Sequence, residues 1–157
     1  MPSRYIHRLI KAYIAGMAIN GCEVMLRDFQ LQWLKALGYV TRGNAVVLPG
    51  SYCKHTPETV LEHVYFVKGA FETHGEFFMG DPHSGDVIII FKSGSKKLAK
   101  YLRLLGFNPL ETTDERQASK YIVLFKRLEV RRFIKLVKPM VEEVHIAKAL
   151  GLCTQKL

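Results

Sequence analysis

From Thr56 onward the chain switches hydrophobic period several times, and this alternation limits its possible architectures more than any single residue does. Thr56-Pro57-Glu58-Thr59 reads as a helix start: a hydroxyl cap, a proline at the first helical position and an acid in the first turn. Val60, Leu61, Val64, Phe66, Val67 and Ala70 then recur at helical spacing to about His74, where Gly75 ends the run. Two strand-like segments follow, 76–79 and 86–92, joined by Gly80-Asp81-Pro82-His83-Ser84-Gly85, a hairpin loop by composition. Ser93-Gly94-Ser95 opens a helix over 96–105 that Gly106 closes. Further strands near 110–113 and 120–127 flank a polar turn at 114–119. A helix from about Glu129 carries Val130, Phe133, Ile134 and Val137 inward until Pro139, and Val141–Leu150 reads as a last helical stretch. The order αββαββα describes an α+β domain.

Upstream, the turn-rich stretch Leu48–His55 marks a boundary and divides the chain into 1–55 and 56–157. Ile6, Leu9, Ile10, Tyr13, Ile14 and Met17 form one apolar stripe of a helix over Tyr5–Ile19, stopped by Asn20-Gly21. Asp28 is placed to cap a second helix, with Phe29, Leu31, Trp33, Leu34 and Leu37 apolar and Gly38 at its C-cap. Two short strands then surround a Gly43-Asn44 turn. Helix, helix and a basic-tipped hairpin make a small winged-helix-like module, although the same pattern also serves as a structural cap.

Charge narrows the partner class. The 157 residues carry a formal net charge of +9, a balance that favours polyanions over acidic small molecules. The excess is densest before Thr56, with 7 basic against 2 acidic residues, compared with 16 against 12 beyond it. No apolar stretch approaches the roughly 18–20 residues of a membrane span, and Met1–Lys11 lacks the apolar core of a secretory signal. Cys22, Cys53 and Cys153 are odd in number and far apart, with no C-x-x-C pair. That pattern predicts buried free thiols, no zinc site and a reducing, cytoplasmic setting. Phosphate-loop, Rossmann and His-Glu-x-x-His patterns are absent.

The segment Val67-Lys68-Gly69-Ala70-Phe71-Glu72-Thr73-His74-Gly75, the strand Glu76-Phe77-Phe78 after it and Leu104-Leu105-Gly106-Phe107 downstream resemble the LAGLIDADG family of homing endonucleases. In that family two motif helices, from two subunits or two repeats, pack side by side. Phe66, Gly69, Ala70 and Thr73 share one helical face, and the glycine and alanine would let two backbones approach closely. The chain looks short for two full repeats. Ile14-Ala15-Gly16-Met17-Ala18-Ile19-Asn20-Gly21 echoes the motif only faintly, with its glycines one residue too close and no αββα order after it. The resemblance therefore implies a homodimer through Phe66, Gly69, Ala70 and Thr73. The alternative is that Gly69 merely packs a core helix on its own sheet.

Two departures bear on function. The family's nucleases place an acid just before the final glycine, where each helix delivers a carboxylate to shared divalent metal ions; here that residue is His74. Magnesium prefers oxygen ligands, so imidazole is a poor substitute. Glu72 lies two residues back on another side of the helix, and Glu76 follows Gly75 as the candidate metal ligand if Mg2+-dependent cleavage survives. His74 then serves as general base or phosphate contact, or simply suits the helix dipole. Secondly, Val87–Phe91 and Tyr121–Phe125 are continuously apolar, which predicts strands covered on both faces rather than a polar DNA saddle.

Bases remain available for phosphates: Lys92, Lys96, Lys97, Lys100 and Arg103 around the middle helix, Lys126, Arg127, Arg131, Arg132, Lys135 and Lys138 around the last, and Arg42 at the hairpin tip. The resulting expectation is a non-catalytic nucleic-acid-binding protein, with double-stranded DNA favoured. Bacterial regulators that join a degenerate LAGLIDADG domain to a helix-turn-helix offer an architectural parallel. The alternatives are an active metal-dependent DNA endonuclease and a protein-interaction scaffold.

Overall fold

A computed structural model describes residues 3–39, 41–79 and 87–139, and the chain divides into two units, residues 1–73 and 74–157. The first stripe forms α1 (Ser3–Met17), which buries Leu9, Ala12, Tyr13, Ile14 and Met17. It is followed by β1 (Glu23–Met25), α2 (Asp28–Ala36), β2 (Thr41–Arg42), β3 (Ala45–Val47), the short α3 (Gly50–Cys53) and α4 (Val60–His74). The three strands form an antiparallel sheet in the order β1-β3-β2. Its core joins Tyr13, Ile14 and Met17 to Val24, Leu26, Leu34, Val46 and Leu48.

Two helix starts differ from expectation. Arg27, not Asp28, is the N-cap of α2, because the buried Gln30 side chain accepts the Arg27 N–H at 3.1 Å. Likewise α4 begins after Thr59 rather than Thr56: the Thr59 hydroxyl accepts the Glu62 N–H, and the Glu62 carboxylate accepts the Thr59 N–H. The thiol expectation is also corrected. Cys22 and Cys53 form a disulfide, since α3 brings Cys53 beside the residue preceding β1, with 5.9 Å between the Cα atoms. No spacing rule links two cysteines that tertiary packing alone brings together.

The second unit comprises β4 (Gly75–Met79), β5 (Val87–Phe91), α5 (Lys96–Leu104), β6 (Leu110–Asp114), β7 (Ser119–Leu124) and α6 (Arg127–Val137). Its sheet is antiparallel in the order β4-β5-β7-β6, so from α4 onward the chain follows αββαββα. Ser95 caps α5 by accepting the Leu98 N–H at 3.2 Å. The buried sheet face (Phe77, Val87, Ile89, Phe91, Ile122, Leu124) lies under the apolar faces of α5 and α6, and Phe133 meets Phe91 and Phe107 edge-on. Val141–Leu150, Cys153 and the expected loop at 80–85 lie outside the described residues.

The first unit repeats the plan of the second in shortened form. Its order β1-β3-β2 has the same antiparallel pairings as β5-β7-β6, so among the described residues the counterpart of β4 is what is missing. Trp33-Leu34-Lys35-Ala36-Leu37-Gly38-Tyr39 matches Tyr101-Leu102-Arg103-Leu104-Leu105-Gly106-Phe107 in kind. Both segments end a helix alike. Gly38 and Gly106 take φ of +92° and +89°, and the next N–H reaches back to Leu34 at 3.0 Å or Leu102 at 2.9 Å. The expected helix, helix and hairpin are thus present, and with β1 they follow this common plan.

α1 and α4 cross backbone to backbone. A Cβ on Gly16 would run into the Phe66 carbonyl and lie 2.9 Å from the Ala70 nitrogen, while one on Gly69 would run into the Tyr13 carbonyl. Phe66 lies three residues before Gly69, and Tyr13 three before Gly16, so the contact reads the same from either helix. α1 thus pairs with α4 as a second glycine-bearing helix, within the same chain. The residues expected to form a dimer face are engaged within the chain: Phe66 and Ala70 are buried, Gly69 rests on Tyr13, and Thr73 accepts a hydrogen bond from Gln30. The glycines of the echo stand one residue closer than those of α4, and α1 ends at Met17, one residue beyond its glycine, whereas α4 continues to His74.

Candidate nucleic-acid interface

The end of α4 delivers the three catalytic candidates to unlike surroundings. Glu72 is 1% exposed and accepts the Tyr13 hydroxyl at 2.5 Å. Gln30 Nε2 donates to that hydroxyl at 3.1 Å and to Thr73 Oγ1 at 2.9 Å, tying α1, the start of α2 and α4 together. Burial, and then the neighbouring Glu72, push the Tyr13 pKa well above 10, so the hydroxyl remains a donor. These buried polar groups satisfy one another, the arrangement expected of an internal clasp.

His74 is half-buried, and its backbone carbonyl accepts the Lys92 N–H at 2.9 Å. Glu76 sits on β4 opposite Ile90, with its carboxylate 3.6 Å from the Lys92 ammonium. Among the described residues, no three His, Cys, Asp or Glu side chains gather as a metal site requires. At the motif's acid position, just before the final glycine, stand Asn20 for α1 and His74 for α4. Neither supplies a carboxylate, so these residues do not fit a shared magnesium site.

The bases fall into paired and unpaired sets. Lys96 and Arg103 both reach Glu111 at 3.0 Å, and hydrogen bonds from Arg103 and then Lys96 hold its carboxyl below the usual range. Lys92 is engaged with Glu76. Lys97, Lys126, Arg127 and Lys135 are exposed, and among the described residues no carboxylate pairs with them. Arg131, half-buried, follows Arg127 by one helical turn and precedes Lys135 by another, placing the three on one face of α6. Arg132 lies over the Phe107 ring at 4.4 Å and donates to the Leu105 carbonyl, joining α6 to the end of α5. Both helices pack on the buried sheet face, so their basic sides turn outward together. Arg42 is exposed at the end of β2, beside the Gly43 turn.

The other sheet face differs from expectation. Val87, Ile89 and Phe91 are buried but Ile88 and Ile90 are only half so, and Phe78 and Leu110 are 49% and 50% exposed. The strands alternate in burial despite continuous apolar composition, so the described elements leave this face partly open. Glu76, Ile90, Val123 and Leu110 make one cross-strand row along it. An apolar row ending in a carboxylate is poorly suited to phosphates, which leaves the outward helix faces as the better electrostatic surface.

Sequence reasoning gave Tyr13 only a place in an apolar stripe and Asn20 a place at a helix stop, and it did not single out Gln30. The signal that identifies the first repeat was visible, in the matched seven-residue segments ending at Tyr39 and Phe107.

No family model matches the chain, and no curated protein matches it in sequence. Among solved structures, the N-terminal LAGLIDADG domain of DUF199/WhiA matches with a TM-score of 0.64 and 12% identity, covering 88% of this chain and 86% of that one. Full-length DUF199/WhiA from Thermatoga maritima gives 0.61 and 11% identity, over 96% of this chain and 62% of its own length. At such identities the likeness speaks to fold, and it agrees with the αββαββα order and the glycine-seated helix pair: the chain has a LAGLIDADG-like fold.

Proposed function

We propose that this chain is a non-catalytic nucleic-acid-binding protein that favours double-stranded DNA and engages it through the basic outer faces of α5 and α6. The observation that carries the reading is the run of exposed cations at the start and along the side of α6 (Lys126, Arg127 and Lys135), with a further exposed cation, Lys97, on α5. Such side chains neutralise phosphates without reading sequence, and each contact adds salt dependence. Loss of the nuclease chemistry rests on the motif positions: Asn20 and His74 replace the carboxylates, and Glu72 is committed to Tyr13. One chain supplies both motif helices, so the binding unit is one copy.

The test is fluorescence anisotropy on random duplex DNA across a salt series with magnesium present, with a gel run on the same samples. The reading expects intact DNA and affinity that falls steeply with salt. Charge reversal by Arg127→Glu with Lys135→Glu should lower both the affinity and the salt slope. Cleaved DNA that becomes intact in Glu76→Ala would instead support a metal-dependent endonuclease. A second reading, a protein-interaction domain, is favoured by the open apolar row around Ile90 and Val123. It expects DNA binding that moderate salt abolishes.

A further inference from the structure

A concavity in the first unit takes no part in the arrangement above. It has a volume of about 250 Å³ and is lined by His7 and Ile10 of α1, Leu37, Gly38 and Tyr39 at the end of α2, and Tyr52 of α3. Sites that enclose drug-sized ligands run to about 300–1,000 Å³, so this one has room for a single planar ring system. Tyr39 and Tyr52 stand 6.4 Å apart with their planes at 69°, and His7 meets Tyr52 edge-on at 5.4 Å. A flat ring laid on one tyrosine therefore meets the other edge-on, the arrangement that aromatic quadrupoles favour. Gly38 on the wall takes a φ of +92°, which favours glycine over larger residues there.

The polar groups suit a base edge. The Tyr52 hydroxyl and His7 Nε2 are 3.0 Å apart. When Nε2 accepts from Tyr52, the phenolic oxygen is left to accept from a ligand; when Nε2 carries the proton and donates, the Tyr52 O–H is left to donate. The pair can thus meet either a donor or an acceptor, as the edges of different nucleobases demand. The Lys11 ammonium stands over the Tyr52 ring, 5.2 Å from its centre, which puts a cation at the wall of the concavity.

We propose that this concavity holds one unstacked nucleobase of a single-stranded stretch, with Lys11 meeting the phosphate of that nucleotide. The inference rests on the nucleic-acid reading above for its partner, and adds a place where a base, rather than backbone, is held. Aromatic grooves also take proline-rich peptides, but the cation at the ring and the net charge of +9 favour a polyanion.

The test uses the full chain with a short labelled single strand carrying a central 2-aminopurine, and with the matching duplex. Tyr39→Leu keeps apolar bulk beside the core while removing the stacking ring, and His7→Ala alters only an exposed rim residue. Tyr39→Leu is expected to weaken single-strand binding about 5- to 150-fold, the loss of one base–aromatic stack. His7→Ala should weaken it less, both variants should diminish the change in 2-aminopurine emission, and duplex affinity and circular dichroism should stay unchanged. Arg127→Glu with Lys135→Glu should weaken single strand and duplex together, which separates this proposal from the general reading. Pocket variants that leave single-strand affinity unchanged, or that weaken duplex equally while folded, overturn it. So does Tyr39-dependent binding of a proline-rich peptide by a protein that ignores the oligonucleotide.

Discussion

Replacing Gly69 by alanine tests the helix crossing directly. The added methyl would overlap the Tyr13 carbonyl oxygen and lie 2.9 Å from its carbonyl carbon and 3.2 Å from its Cα. Carbon contacts settle at about 3.5–4.0 Å, and the overlapped oxygen is nearer than either carbon, so the two helices must part by about 1 Å or more. A gap of that size forfeits about half or more of each contact's attraction along the seam. Overpacking of this kind costs about 1–3 kcal/mol, and the upper part of that range applies because backbone cannot rotate aside as a side chain can. Alanine returns about 1 kcal/mol of helix propensity, leaving a net loss of about 2 kcal/mol. Gly16→Ala meets the mirror obstacle and should cost about the same. Once the first methyl has parted the helices, the second finds room. The double variant should therefore be more stable than the sum of the singles implies, by about 1 kcal/mol. The assay is urea unfolding followed by emission from Trp33, the chain's single tryptophan, which stands edge-on to Tyr13 at 5.2 Å. Gly50→Ala is the control, since a Cβ there meets open space. A Gly69→Ala midpoint equal to the parent's, or strict additivity in the double variant, would refute the reciprocal seat.

Three further outcomes follow from the first unit. Burial raises the Glu62 pKa, but hydrogen bonds from His55, Arg8 and Thr59 outweigh it and bring it down to about 2. Its stabilising contribution should be present above its ordinary pKa near 4.5 and lost as pH falls toward 2, and acid titration of Glu62→Gln should lack that step. Tyr13→Phe deprives the buried Glu72 of its donor and should cost about 1–3 kcal/mol by urea midpoint. In the parent, stability should be fully present below about pH 10 and erode above it, as the unfolded chain's tyrosine ionises before the folded one. A loss under 0.5 kcal/mol would mean the clasp is not coupled to folding. The Cys22–Cys53 bridge closes a loop across a separation of 31 residues, and its reduction should cost about 3–4 kcal/mol on loop-closure grounds. Mapping of unreduced peptides checks it, and freely reactive thiols at both positions in freshly isolated, unreduced protein would contradict it.

Much of the second unit was legible because its local signals agree. Periods of two and 3.6 alternate cleanly, and Ser95 and Gly106 close α5 from both ends. The first unit was less legible because its strands are only two or three residues long, too short to show a period. Its first repeat was hidden by the missing counterpart of β4, which removes the αββα order that would have drawn attention to Gly16. Burial on the two sides of β5 could not be read either, since Val87–Phe91 is apolar throughout while its two faces differ in cover. As for the candidate site, the bases were visible as charges but their partners were not. Glu111 lies far from Lys96 in sequence and reaches it only once β6 is in place.

The glycine seat has a consequence for how chains of this kind can be detected. Each glycine rests on a partner's main-chain carbonyl, an atom that every amino acid carries, so the side chains at Tyr13 and Phe66 can be exchanged without altering the shape they present there. The crossing therefore writes only one obligatory letter into each helix, and the remaining letters are free to drift with the core around them. Comparison by letters loses such a fold early, whereas comparison by shape retains it, which is the pattern of resemblance this chain displays.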